Sequence, residues 1–446
     1  MTNIREVAYN TLLDYEKNKT SYVHVKEVLD KLSYLDKTDR GFLQRLIEGV
    51  IERKITIDYI LNQYSKVPVN KQKPPIRVIL RLGVYQIMYM DSVPDYSAVN
   101  ECVKLARNHK FSNLSGVVNA VLRTISKEKN AIIWPDKKAD VIEYLSVKYS
   151  CPLWITQMLV REQGEENAEF VLMNSVSIRP LTARVNLSKT SMEDVIEKCK
   201  NDPLVTKASV SNLLDNVVVF DKVDSVSEIE VVREGLVCVQ DISSVLTGVL
   251  AGIKKKDTVL DVCASPGGKS LGAADIATEG QVISCDLSEK KTARIKENVN
   301  RCGFANVKVT EKDATVHYEE FDEIADVIIT DVPCSGLGVM GRKNDIKYNL
   351  CPEQIDELAS LSKRILRNVS QYLKKGGTLM FSTCTVSNRE NVEMVKFIRE
   401  ELGLTSVPIY DVLPDALKCE SALEGYIQLY GKDGLSDGFF IAKFKK

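Results

Sequence analysis

The chain has 446 residues, enough for roughly three domains. It carries 60 Lys+Arg against 61 Asp+Glu, with 27% charged and 44% hydrophobic residues, a composition that excludes an intrinsically disordered chain. No apolar run reaches the ~18 residues of a membrane span, and the opening Met1-Thr-Asn-Ile-Arg-Glu6 has no signal-peptide stretch, so a cytoplasmic protein with no membrane partner is expected.

Residues 1–130 read as all helix. Ile4, Val7, Ala8 and Leu12 recur at helical spacing, as do Leu43, Leu46, Ile47 and Val50. Pro74-Pro75 suits the first turn of a helix, a further helix runs from about 97 to 107, and Ser112-Asn-Leu-Ser-Gly116 marks a turn before a helix over 117–125. This segment holds 21 Lys+Arg and 14 Asp+Glu, a net of +7, against 39 and 47 in the remainder, a net of -8. A basic domain joined to an acidic one suggests a polyanionic partner met mainly through the first.

The pattern changes over 131–234. Helical stretches at about 139–149 and 153–162 precede the β-like run Leu181-Thr-Ala-Arg-Val-Asn186. Ser191-Met-Glu-Asp194 has capping-box-like spacing before a helix to Cys199, and two further β-like runs follow at 207–211 and 217–220. Strand, helix, strand, strand in so short a stretch suggests a small α+β module.

From Gly235 onward strands alternate with helices: strands at 259–263, 281–285, 307–310, 327–330 and 378–382, helices at 270–277, 289–301, 353–373 and 389–402, and a closing strand at 438–444. Alternating βα units imply a mostly parallel, doubly wound sheet with ligands at the carboxyl ends of its strands.

Chemistry concentrates at those ends. Asp261-Val-Cys-Ala-Ser-Pro-Gly-Gly-Lys269 lies between a buried strand and a helix, where glycines admit a close ligand and the helix offers free N–H groups. It matches neither a Walker A loop nor the dinucleotide G-x-G-x-x-G. Asp286, nineteen residues past Gly267, suits the two hydroxyls of a ribose, and Asp313 ends the next strand. An adenosine cofactor without a phosphate loop fits S-adenosylmethionine better than ATP. Two more strands end in Asp331-Val-Pro-Cys-Ser-Gly336 and Ser382-Thr-Cys-Thr385, so Cys334 and Cys384 can face one pocket. Pyrimidine C5 is a weak nucleophile, and a thiolate adding to C6 makes it enamine-like and able to take a methyl group. One cysteine would attack and the other would assist release, with Asp331 on the base edge; the spacing leaves open which attacks. The chain has eleven cysteines and no C-x-x-C pair; Cys102, Cys199, Cys238 and most of the others read as small hydrophobes, and no metal is expected. His24, His109 and His317 stand in no motif.

The three motifs, in this order, resemble the RNA cytosine-C5 methyltransferases. Residues 1–130 are similar to the NusB RNA-binding fold, and Asp437-Gly-Phe-Phe-Ile-Ala-Lys-Phe444 resembles the closing strand of that group. Over essentially the whole chain the arrangement resembles the bacterial 16S rRNA (cytosine(967)-C5)-methyltransferase family, RsmB. The resemblance implies a class I S-adenosylmethionine-dependent methyltransferase domain with a Rossmann-like sheet over 235–446. Before it would come an all-α NusB-like domain over 1–130 and a linker with a small ferredoxin-like module over 131–234.

The resemblance also implies that Cys384 is the nucleophile and that Cys334 serves product release. The cofactor would lie against Cys263, Ala264, Ser265, Pro266, Gly267, Gly268 and Lys269, with Asp286 on the ribose, Asp313 near the adenine and Asp331 at the reacting end. Ser265 stands where the family has alanine, and Asn344 and Asn388 stand where prolines are usual, departures that concern loop rigidity rather than reacting groups. Arg342, Lys343 and Lys347 are expected to neutralise phosphates flanking the target. The partner would be 16S rRNA in single-stranded or loop form, free or in an assembling small subunit, met by a monomer, because the target cytosine must leave its stack. A tRNA or 23S rRNA target and a non-catalytic NusB-like factor are the alternatives.

Overall fold

The computed structural model describes residues 3–18, 22–32, 34–223 and 225–446, without the side chains of 18, 22–26 and 222. Met1, Thr2 and the side chain of His24 therefore lie outside the described residues. Two compact units are present: Met1–Ser177 with Met340–Asn349, and Ile178–Val339 with Leu350–Lys446.

The first unit is helical. Two prolines open the helix Pro74–Tyr89, as suits a first turn, and Ile76, Val78, Ile79, Leu80, Leu82, Val84, Tyr85 and Ile87 bury it on most faces. It is the centre of the bundle. Around it pack the one-sided faces of Lys37–Glu52, through Leu43, Leu46, Ile47 and Val50, and of Ser115–Glu128, through Val118, Val121, Leu122 and Ile125. The buried Arg81 is matched by both oxygens of Asp58 at 2.7 Å and by Glu16 at 2.9 Å, which offsets the cost of taking its charge from water. The helix expected over 153–162 runs instead to Asn174. It crosses a kink at Gly164, whose φ of 77° favours glycine, and goes on to bury Ala168, Val171 and Leu172.

In the second unit β1 (Leu181–Val185), β2 (Val205–Val210), β3 (Val217–Val223) and β4 (Val237–Val239) form an antiparallel sheet in the order β2-β3-β1-β4. Helix Met192–Asn201 lays Val195 and Cys199 against Val218 and Phe220 of that sheet. Its cap is the one the sequence suggests: Ser191 Oγ accepts from the Asp194 N–H at 3.1 Å.

The second sheet holds β5 (Thr258–Asp261), β6 (Gln281–Asp286), β7 (Val307–Glu311), β8 (Ala325–Asp331), β9 (Leu373–Thr383), β10 (Thr405–Ser406), β11 (Tyr426–Tyr430) and β12 (Gly438–Lys445). Its order is β10-β12-β9-β8-β5-β6-β7, with β11 on the edge of β12. Strands β5 to β9 are parallel, and β12 runs antiparallel to β9. Successive residues feed opposite layers: Val259, Val282, Val327 and Met380 enter one core, while Leu260, Ile283, Ile328 and Leu379 enter the other. This is the doubly wound, Rossmann-like sheet the βα alternation implies. Strand β5 sits where the order reverses, pairing with β6 on one side and β8 on the other, and ligands bind at the carboxyl ends of strands at such a point.

Candidate active site

The loop after β5 is shaped by local constraints. Gly267 adopts φ 107°, its N–H closes a turn on the Ala264 carbonyl at 2.6 Å, and helix Gly268–Ile276 begins at the next residue. Asp286, 4% exposed at the end of β6, holds this loop by accepting from the Ser265 N–H at 2.9 Å. Its other oxygen accepts from the Leu287 N–H at 2.7 Å and meets Lys291 Nζ at 2.9 Å. Asp313, two residues past β7, accepts from the N–H and hydroxyl of Thr315. Beneath the loop the buried Asp261 accepts from Ser270 Oγ at 2.6 Å, and burial pushes its carboxyl up to about 7.

Lys269 is the one cation of this loop, and it is committed elsewhere. Its Nζ lies 2.7 Å from Asp331 at the end of β8, whose second oxygen accepts from Ser382 Oγ at 2.8 Å. The loop therefore presents backbone N–H groups and carboxylates but no phosphate clamp. Carboxylate acceptors beside backbone N–H donors suit the hydroxyls and amine of an adenosine and the positive charge of a sulfonium, and they disfavour a triphosphate.

The two motif cysteines meet. Cys334, three residues past β8, and Cys384, next after β9, place their Sγ atoms 3.2 Å apart. Proximity to Cys384, and then burial, raises the Cys334 thiol well above its ordinary range, so it stays protonated at neutral pH. Burial likewise raises the thiol of Cys263, leaving it an inert part of the loop.

The structure brings the loop 261–269, Asp286, Asp313, Asp331 and both cysteines to the same ends of neighbouring strands. Arg342 and Lys343 lie exposed on the segment Met340–Asn349 of the first unit. Lys347 does not: it is 1% exposed, its Nζ donates to the Glu52 carbonyl at 2.9 Å, and burial lowers its pKa to about 8. It is a structural tie within the helical unit, and the expected phosphate contact is corrected accordingly. Sequence reasoning also missed Glu390 and Asn391. The stretch from 389 reads as the start of a helix, but the helix begins at Val392, and these two buried side chains instead bind the turns that carry the cysteines.

Comparison with known proteins matches this arrangement. Residues 249–445 match the family model "16S rRNA methyltransferase RsmB/F", and residues 2–127 match the NusB family. The chain is 32% identical to the probable ribosomal RNA small subunit methyltransferase B of Bacillus subtilis, over 100% of this chain and 99% of that one. It is 28% identical to ribosomal RNA small subunit methyltransferase B of Escherichia coli, over 92% and 91%. Among solved structures, PH0851 superposes with a TM-score of 0.78 at 20% identity, over 100% of this chain and 99% of that one. NSun6 from Pyrococcus horikoshii with SFG gives 0.58 at 21%, over 66% and 98%. The chain belongs to the 16S rRNA methyltransferase RsmB/F family, and it is an RNA cytosine-C5 methyltransferase whose cofactor is S-adenosylmethionine.

Proposed function

We propose that this enzyme methylates C5 of one cytosine in 16S rRNA, of the position-967 class, through a covalent bond between Cys384 and C6 of the base. The observation that carries the reading is the 3.2 Å approach of two thiols beside Asp331, at the carboxyl ends of adjacent parallel strands. S-adenosylmethionine, when bound, supplies the methyl group. The residues of the chain do the rest. Cys384 adds as thiolate to C6, and the displaced electron pair makes C5 nucleophilic. Once C5 carries the methyl group, its proton leaves to a base, the C6–S bond breaks and the thiolate returns. Cys334, whose thiol is held above its ordinary range, serves this second stage. Asp331, held by Lys269 and Ser382, faces the edge of the base, Asp286 takes the ribose and Asp313 lies near the adenine.

The basic first 130 residues are read as the rRNA anchor, followed by the middle module over 131–234 and the catalytic domain over 235–446. The RNA enters single-stranded or as a loop, free or in an assembling subunit, and the enzyme acts as a monomer in the cytoplasm. Arg342 and Lys343 flank the target phosphates.

Two substitutions test the roles. Cys384→Ser should abolish methylation and give no covalent complex, since a serine hydroxyl ionises far less readily than a thiol. Cys334→Ser should allow attack and methyl transfer, then stall with RNA attached, visible as a slow band on a denaturing gel. A band with Cys384→Ser and none with Cys334→Ser would exchange the roles. No band with either would remove the case for Cys334 in release.

A further inference from the structure

One buried carboxylate links the residues that follow the two thiols. Glu390 is 2% exposed. One of its oxygens accepts from the Ser335 N–H at 2.7 Å; the other accepts from Ser335 Oγ at 2.5 Å and from Thr385 Oγ1 at 3.2 Å. The two hydroxyls are themselves 2.8 Å apart. Ser335 follows Cys334 and Thr385 follows Cys384, so one side chain ties both cysteine turns.

The ties are unequal. The Cys334 turn is bound by Glu390 through a backbone and a side-chain bond at Ser335. Its flanks are tied by the Val332 N–H to the Ser382 carbonyl at 3.3 Å and the Gly338 N–H to the Cys384 carbonyl at 3.0 Å, so Glu390 is the side chain that fixes the turn itself. The Cys384 turn has a second support in the fully buried Asn391, which accepts from Thr383 Oγ1 at 2.6 Å and donates to the Thr385 carbonyl at 3.0 Å. Asn391 is steadied in turn by Gln428 Oε1 at 2.8 Å. Burying a carboxylate is costly unless donors satisfy it, and here both turns supply donors. Sub-ångström placement of reacting groups governs rate far more than it governs folding.

We propose that Glu390 is a positioning residue that holds the Cys334 turn against the Cys384 turn, and that Asn391 positions the nucleophile's turn. Neither touches the base. The inference rests on the covalent reading above, and two independent readouts separate them. The first is the RNA adduct on a denaturing gel. The second needs no RNA: diamide takes two electrons and two protons from a pair of close thiols, leaving a disulfide and a hydrazine, and the rate of Cys334–Cys384 bond formation reports how well the thiols are apposed.

In the full-length chain, Glu390→Ala should lower turnover by about 100-fold, the scale set by misplacing a reacting group by an ångström. S-adenosylmethionine affinity should not change. The variant should accumulate the RNA adduct as Cys334→Ser does, and diamide should close the disulfide more slowly. Glu390→Gln keeps an acceptor for the Ser335 N–H and should recover most of the turnover. Asn391→Ala should lose turnover with no adduct. If Glu390→Ala does not fold, Ser335→Ala removes the 2.5 Å bond and the 2.8 Å contact with Thr385 Oγ1, keeps the backbone N–H bond to Glu390, and carries the same expectations at smaller size. Unaltered disulfide closure in the Glu390 and Ser335 variants would overturn the positioning role. Slower closure with no adduct in Glu390→Ala or Cys334→Ser would uphold positioning and overturn the covalent roles.

Discussion

Replacing Asp286 should weaken S-adenosylmethionine binding in a graded way. The carboxylate makes three protein contacts, at 2.9 Å to the Ser265 N–H, 2.7 Å to the Leu287 N–H and 2.9 Å to Lys291 Nζ. Only one of these reaches the oxygen that faces Ser265, and a carboxylate oxygen has room for a further donor such as a ribose hydroxyl. Losing a hydrogen bond to a charged group costs about 1.5–3 kcal/mol, so Asp286→Ala should raise Kd by about 10- to 150-fold. Part of that loss belongs to the loop, because the alanine leaves the Ser265 N–H without its partner. Asp286→Asn distinguishes the two contributions: it keeps one acceptor for the loop, loses the charge, and should fall between wild type and alanine. Calorimetry with S-adenosylmethionine reads the affinities, and thermal melting without cofactor reads the cost to the loop. An alanine variant that binds as tightly as wild type would refute the assignment of Asp286 to the cofactor.

Three other perturbations have definite outcomes. Lys66, Lys71 and Lys73 line one groove of the helical unit, about 650 Å³ in volume, with no acidic residue in its lining. Replacing all three by alanine should weaken rRNA binding and reduce the slope of log affinity against log salt by about 2, at ~0.7 per phosphate contact on a single strand, and an unaltered slope would remove this face from the RNA. Asp261 has its carboxyl raised from 3.8 unfolded to about 7 folded, so the stability of its protonated form is fully present below about pH 4 and is lost as pH rises through 7. Relative to Asp261→Asn, wild type should lose stability between pH 5 and pH 7 by about 1.4 kcal/mol per pH unit, and parallel stability curves would contradict the burial argument. Gly338 donates its N–H to the Cys384 carbonyl at 3.0 Å, and a Cβ there would lie 1.8 Å from the Gly438 carbonyl oxygen. Gly338→Ala should therefore cost about 1–3 kcal/mol in urea unfolding, together with loss of turnover, and an unchanged midpoint would refute it.

The parts of this protein that were legible in sequence are those whose causes are local. The loop from Asp261 to Lys269 announces itself because strand, glycines and helix are contiguous, and Asp286 follows at a fixed interval set by one helix and one strand. Cys334 and Cys384 were legible as a pair because parallel strands carry their ends to one side. Glu390 was not. Its partner Ser335 lies 55 residues away, and the neighbouring Val392, Met394 and Val395 make the whole stretch look helical. Lys347 was misread for the same reason: nothing near it signals that its ammonium is bound by a carbonyl 295 residues earlier. The helix Ile242–Ala251 is a different kind of miss. Asp241 caps it, Ile242, Val245, Leu246 and Leu250 line one face, and Gly252 ends it at φ 68°, so every signal was present. Strand β11 is five residues with alternate residues buried, too short to stand out from the turns around it.

The activity proposed for this enzyme is methylation of C5 of one cytosine of 16S rRNA. Bisulfite sequencing tests it most directly, because C5 methylation protects a cytosine from conversion. Ribosomal and transfer RNA would be sequenced from the source organism, from a strain lacking this gene, and from that strain carrying the wild-type chain or Cys384→Ser. A single protected cytosine in 16S rRNA, of the 967 class, should be lost on deletion, return with wild type and fail to return with Cys384→Ser. An unchanged 16S pattern in the deletion strain, or a lost site in tRNA or 23S rRNA instead, would contradict the proposed activity.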